Sequence, residues 1–152
     1  MKLDVKNIKK LREETGAGVL EVKKTLEETN GDYKRARQIL MEKVGDKAAK
    51  KADRETKDGI VVSYIHSGGR IGSLVVVACE TDFVAKTDDF KKLADEIAMQ
   101  VCTDDYESVD DLLKDDYIRD SSKNVQDLIN ETIAKVGEKI EIKDFVKFSV
   151  LN

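Results

Sequence analysis

With 152 residues, 40% of them hydrophobic, and a formal net charge of -4, the chain has apolar material for one sizeable core, or for a modest core plus a small module. Its apolar runs are all far shorter than the ~20 residues a spanning helix needs, and "MKLDVKNIKK" lacks the apolar segment of a secretory signal, so no membrane association is expected and the expected compartment is the cytoplasm. One histidine and no CxxC pattern leave no zinc site, and Cys79 and Cys102 read as reduced, packed thiols.

Charge is unevenly distributed. Residues 1–58 hold 16 Lys+Arg against 12 Asp+Glu, whereas the remainder holds 11 against 19, so the two parts are expected to meet different surfaces. Net acidity argues against direct nucleic-acid binding, which needs clustered cations rather than a mixed Lys/Glu face.

Three short helices come first. Asp4 can cap a helix carrying Val5, Ile8 and Leu11, and "TGAG" at Thr15 to Gly18 breaks it. Val19, Val22 and Leu26 share the face of a second helix, with Leu20 beside it. "NGD" then turns the chain, and Asp32 caps a third helix with Ala36, Ile39 and Leu40 inward. None could stand alone; together they predict a helical domain over residues 1–45. "GDKAAKKADRETKD" has no wide apolar stripe and reads as a linker, helical in part, over residues 46–58.

The hydrophobic period then changes to two. "GIVVSYIH" and "IGSLVVVACE", joined by "SGGR", predict an antiparallel hairpin in which Gly68 and Gly69 supply the positive φ angles of a two-residue turn. Thr87 caps a helix with Phe90, Leu93, Ala94, Ile97, Ala98 and Val101 on one face. "TDDYESVDDLLKDDYIRD", with eight acids and two bases, reads as a solvated connection. Val125, Leu128, Ile129, Ile133 and Val136 form a further helix stopped by Gly137. Finally, Ile140, Ile142, Val146, Phe148 and Val150 alternate as one face of a strand, with Asp144 the exception. Residues 59–152 therefore predict an α+β layer, a three-stranded antiparallel sheet core covered by helices.

Catalysis finds no support in this layout. The hairpin pairs His66 with about Ile71, which leaves Cys79 about 26 Å farther along the strand, too far for a Cys/His dyad. Glu80, Asp82, Asp88 and Asp89 lack the spacing of a calcium loop, and no phosphate-cradling glycine motif is present, so neither metal, cofactor nor enzymatic activity is expected. What stands out is Phe83, an aromatic in the short acidic connection "ETDFVAK". It must either tuck beneath the following helix or project.

"CETDFVAKTDDF" resembles the signature of the elongation factor Ts family, guanine nucleotide exchange factors of the translation GTPase elongation factor Tu. "LREETGAGVLEVKKTL", "NGD", "KKADRETKDGIV", "RIGSLVVVACETDFVA" and "IAKVGEKIEIKDFVKF" resemble further segments of that family in the same order, so the likeness covers nearly the whole chain. The resemblance implies a ubiquitin-associated-like fold for residues 1–45, with Lys9, Arg12, Val19, Leu20 and Lys23 as contacts to the GTPase; Val22 departs from the small polar residue or cysteine common there. It implies that Asp82 and Phe83 carry exchange, with Thr81 and Val84 shaping their loop. It also implies a short form with a single core unit where longer members carry two; one unit leaves a three-stranded sheet with open edges, and the alternating strand from Ile140 to Leu151 is apt to pair with a copy of itself, so a core domain that serves exchange and dimerisation and a homodimer that mimics the longer core are expected. The residues alone leave two other classes open. A non-exchanging adaptor would need no aromatic in a tightly bounded acidic loop, and a nucleic-acid or ribosome-associated protein should show basic surroundings there.

Overall fold

A computed structural model describes residues 2–151. Met1 and Asn152, which close the two predicted domains, lie outside the described residues. The three N-terminal helices form where their caps predict: α1 (Val5–Thr15), α2 (Val19–Glu28) and α3 (Tyr33–Ala49). Asp4 accepts from the Lys6 amide at 2.9 Å, and Asp32 accepts from the Arg35 amide at 3.1 Å. Gly16 ends α1 at φ 75°, and its missing side chain matters twice, because a Cβ there would both strain the backbone and run into the Glu131 carbonyl. Leu11, Ala17, Val22, Leu26, Ala36, Leu40 and Val44 make the small core of this module.

Helix α3 continues through the first part of the predicted linker, and Ala48 packs into the larger core that follows. That core lies on one face of an antiparallel sheet ordered β1 (Asp58–Ile65), β2 (Ile71–Cys79), β5 (Ile140–Ser149). Against Val75, Val77, Cys79, Ile140 and Ile142 pack two helices, α5 (Asp88–Val101) with its whole predicted stripe buried, and α7 (Val125–Val136) through Ile129 and Ile133. The architecture is mixed helix and strand, an α+β layer.

Three expectations are corrected. Gly68 and Gly69 do take positive φ, 89° and 71°, but in a four-residue connection closed by a His66–Ile71 hydrogen bond rather than a two-residue turn. The acidic stretch is not a bare solvated loop. It forms α6 (Val109–Lys114) and the small pair β3 (Asp116–Tyr117) and β4 (Asp120–Asn124), because Leu112 and Tyr117 are buried. The buried Gln100 amide fastens this segment, donating to the Asp116 carbonyl and accepting from the Ile118 amide.

The last strand does not keep one face. Val76 pairs with Asp144 and Val77 with Ile142, so Lys143 is the extra residue of a bulge. Beyond it the alternation inverts. Phe145 turns to the core, while Val146, Phe148 and, just past the strand, Val150 are exposed instead of sharing the face of Ile140 and Ile142. With Val61, Ile65 and Leu74 also exposed, the sheet face opposite the helices is apolar and bare.

A candidate protein-binding tip at the end of the hairpin

Strand β2 delivers the chain to a single turn of helix, α4 (Asp82–Ala85), before α5 begins. Thr81 is its cap, its hydroxyl accepting from the Val84 amide at 3.3 Å. On the far side the Thr87 hydroxyl donates to the Val84 carbonyl at 2.7 Å and accepts from the Phe90 amide at 3.3 Å, so one residue joins α4 to α5. Val84 and Ala85 are buried in the main core. The geometry of one helical turn then sends the two preceding side chains outward, and Phe83 is 78% exposed. It projects rather than tucks.

Asp82 lies beside it, 3.5 Å from the Lys86 ammonium in an exposed i,i+4 pair of small energetic weight. Beneath them, burial and the neighbouring Glu138 and Asp58 carboxylates push the Cys79 thiol up to about 11, which makes it a packing group and not a nucleophile. His66 stands at the opposite end of the sheet, since Cys79 is in register with Asp58. Among the described residues no three His, Cys, Asp or Glu side chains converge as metal ligands, and no helix is long and apolar enough to cross a membrane.

The base of the tip is braced from a distant part of the chain. The Glu138 carboxylate accepts from the Glu80 amide (3.2 Å), the Thr81 amide (3.0 Å) and the Thr81 hydroxyl (2.7 Å). The Glu80 carboxylate in turn accepts from the Lys139 amide at 2.7 Å and from Arg54 at 3.3 Å. Sequence reasoning missed Glu138 and Arg54. One signal was present: an acidic residue directly after Gly137, the αL cap of α7, is unfavourable for the helix dipole and so calls for partners elsewhere.

The residues singled out in the helical module lie on other elements. Lys9, Arg12 and Lys23 are exposed, Val19 is half-buried, Leu20 is 82% exposed, and Val22 belongs to the core. Helix α4 packs on β1, β2 and α5, whereas α1 and α2 pack on each other and on α3, and α1 also meets α7. Two separate exposed groups result. Each pairs an apolar side chain with charged neighbours, and neither contains a reacting pair.

A sequence model of the family described as elongation factor TS matches residues 80–152. Elongation factor Ts of Fervidobacterium nodosum is 48% identical over 101 residues, which is 66% of this chain and 51% of that protein. The corresponding protein of Desulfosudis oleivorans is 52% identical over 94 residues, 62% of this chain and 48% of its own length. For Syntrophomonas wolfei the figures are 55% over 94 residues, 62% and 44%. The chain thus spans about half the length of the curated relatives it matches.

Proposed function

We propose that the chain is a member of the elongation factor Ts family, as its match over residues 80–152 and its 48% identity to the Fervidobacterium nodosum protein support, and that it is a guanine nucleotide exchange factor that promotes GDP release from elongation factor Tu in the cytoplasm, without any covalent step of its own. One observation carries the reading: a large aromatic, Phe83, stands 78% exposed on a turn whose next two residues are buried and whose two ends are capped. An aromatic held out at that cost in exposed apolar surface is an anchor for another protein's pocket, of the kind whose removal costs about 2 kcal/mol or more of binding.

Exchange itself is linkage. The factor binds the nucleotide-free GTPase more tightly than the GDP-bound form, weakens GDP in the same proportion, and leaves when GTP arrives. Asp82 and Phe83 act at the nucleotide end of the partner, while Thr81 and Val84 hold the turn. The N-terminal helices, read as a ubiquitin-associated-like domain of residues 1–45 joined through 46–58 to the core of 59–152, supply affinity through Lys9, Arg12, Val19, Leu20 and Lys23. A second copy of the chain covers the bare sheet face, giving a homodimer.

The test is the release of a fluorescent GDP from elongation factor Tu. The protein accelerates release, Phe83→Ala removes most of the acceleration, and Asp82→Ala weakens exchange more than it weakens binding. If Phe83→Ala keeps its fold by circular dichroism and exchanges as fast as the parent, the wedge reading fails. Binding without any acceleration would instead mark an adaptor.

A further inference from the structure

We propose that Glu138 is a positioning residue for the exchange tip: its carboxylate, through three hydrogen bonds to Glu80 and Thr81, sets where Phe83 stands. The inference rests on the reading of Phe83 as the wedge and adds to it a residue from a distant part of the chain. A helix of four residues cannot hold its own shape, so the direction of Phe83 depends on what fixes the ends of α4. The C-terminal end has Thr87 and the buried Val84 and Ala85. The N-terminal end has the Thr81 cap and the buried Cys79 thiol, which donates to the Thr81 carbonyl at 3.2 Å, but the Thr81 side chain and the amides of Glu80 and Thr81 need a further partner, and Thr81 is itself exposed.

Glu138 removes that freedom in two ways. The Thr81 hydroxyl has one proton and two lone pairs, and donating the proton to Glu138 Oε2 at 2.7 Å leaves a lone pair aimed at the Val84 amide. The amides of Glu80 and Thr81 converge on Glu138 Oε1, at 3.2 and 3.0 Å, and so fix the two peptide planes that lead into the turn. The reference frame behind Glu138 is rigid, because it follows the Gly137 cap of α7 and precedes Ile140, and Ile133 and Ile140 are both buried. The Glu80 carboxylate closes the bracket by accepting from the Lys139 amide at 2.7 Å. An acid at the negative end of α7 is costly to that helix, so its place there is explained by the donors it gathers.

Stopped-flow release of fluorescent GDP from elongation factor Tu, with the full chain as Glu138→Ala, Glu138→Gln, Phe83→Ala and the Phe83→Ala/Glu138→Ala pair, tests the assignment. Glu138→Ala lowers the rate at saturating factor by about tenfold while the half-saturating concentration moves by less than about threefold. Glu138→Gln, which keeps an acceptor for the two amides, recovers most of the rate. In the Phe83→Ala background the second substitution has no further effect, since Glu138 acts through the ring. An unchanged maximal rate in Glu138→Ala, or an equal further loss in the Phe83→Ala background, overturns the proposal.

A readout without the GTPase separates this inference from the exchange reading. With 4-fluorophenylalanine at position 83, the 19F resonance of the parent broadens or shifts in Glu138→Ala and returns toward the parent in Glu138→Gln. A resonance unmoved by Glu138→Ala means that Glu138 does not set the ring, whatever the exchange assay gives. If Phe83→Ala exchanges normally, the exchange reading falls while the 19F result still judges Glu138. Should Glu138→Ala fail to fold, Thr81→Val, which breaks the hydroxyl bond to Glu138, carries both measurements: a lowered maximal rate with a moved 19F resonance supports the bracket, and parent-like values in both overturn it.

Discussion

Phe83 and Val84 are chain neighbours in opposite environments, one 78% exposed and the other 4%. Substitutions at the two positions therefore separate stability from function. Val84→Ala removes buried methyl groups and lowers unfolding free energy by about 2 kcal/mol in urea titrations followed by circular dichroism. Phe83→Ala stays within about 0.5 kcal/mol of the parent, because its ring loses no burial in the free protein. Equal losses at both positions would mean that the ring packs in solution. This division was half legible in the sequence: "CETDFVAK" marked the position and the capping threonines bounded it, but the period of a four-residue helix is too short to say which side chain goes inward. The acid after Gly137 signalled that Glu138 needs partners, but not which ones, because its bonds span 57 and 58 residues and no local pattern encodes them.

Long elements with a clean period, α5 above all, followed their sequence pattern, and the departures arise where the period breaks. Strand β5 shows why. A strictly alternating reading placed Ile140, Ile142, Val146, Phe148 and Val150 together and left Asp144 as a violation, whereas one inserted residue, Lys143, makes Asp144 regular and hands the core to Phe145. The lone exception in the pattern was the sign of the bulge. The start of the same strand is also where the linker is tied down. Glu141 accepts from Thr56 at 2.9 Å and pairs with Lys139 and Lys143 at 2.9 and 2.6 Å, while the Lys139 ammonium also donates to the Ala52 carbonyl at 2.7 Å. Burial alone would raise the Glu141 carboxyl, but the bonds from Lys143, Lys139 and Thr56 outweigh it and hold the group at about 2. A folded-state value below the unfolded one means stability that is present above the ordinary carboxylate range and is lost as pH falls toward about 2. Urea midpoints measured from pH 6 down to pH 2 should thus fall less steeply in Glu141→Gln than in the parent. Parallel curves would show that Glu141 contributes no linkage.

At the scale of the molecule the helices cover only one side of the sheet. Val61, Ile65, Leu74, Val146 and Phe148 are exposed on the other, and a contiguous apolar face of this kind is a binding surface or an aggregation hazard. The register makes it continuous across all three strands, since Ser63 pairs with Leu74 and Leu74 with Val146, while Ile65 and Phe148 both flank Gly72. Two such faces can stack as a sandwich about 10 Å apart, and a two-fold axis brings the same patch from each copy into contact, so a single surface suffices for closure and no open-ended fibre results. The tip bearing Phe83 is at the Cys79 end of β2, away from the Ile65–Phe148 end, which leaves it free to meet a partner in such a dimer. Light scattering at tens of micromolar should then report about 34 kDa, two chains of 17.0 kDa. Val146→Lys and Phe148→Asp, which place a charge in the centre and at one end of the patch, should each give a monomer with an unchanged circular dichroism spectrum, because neither side chain contributes to the core. A parent that scatters as a monomer at these concentrations, or a dimer that survives both charges, rules out this face as the contact between copies.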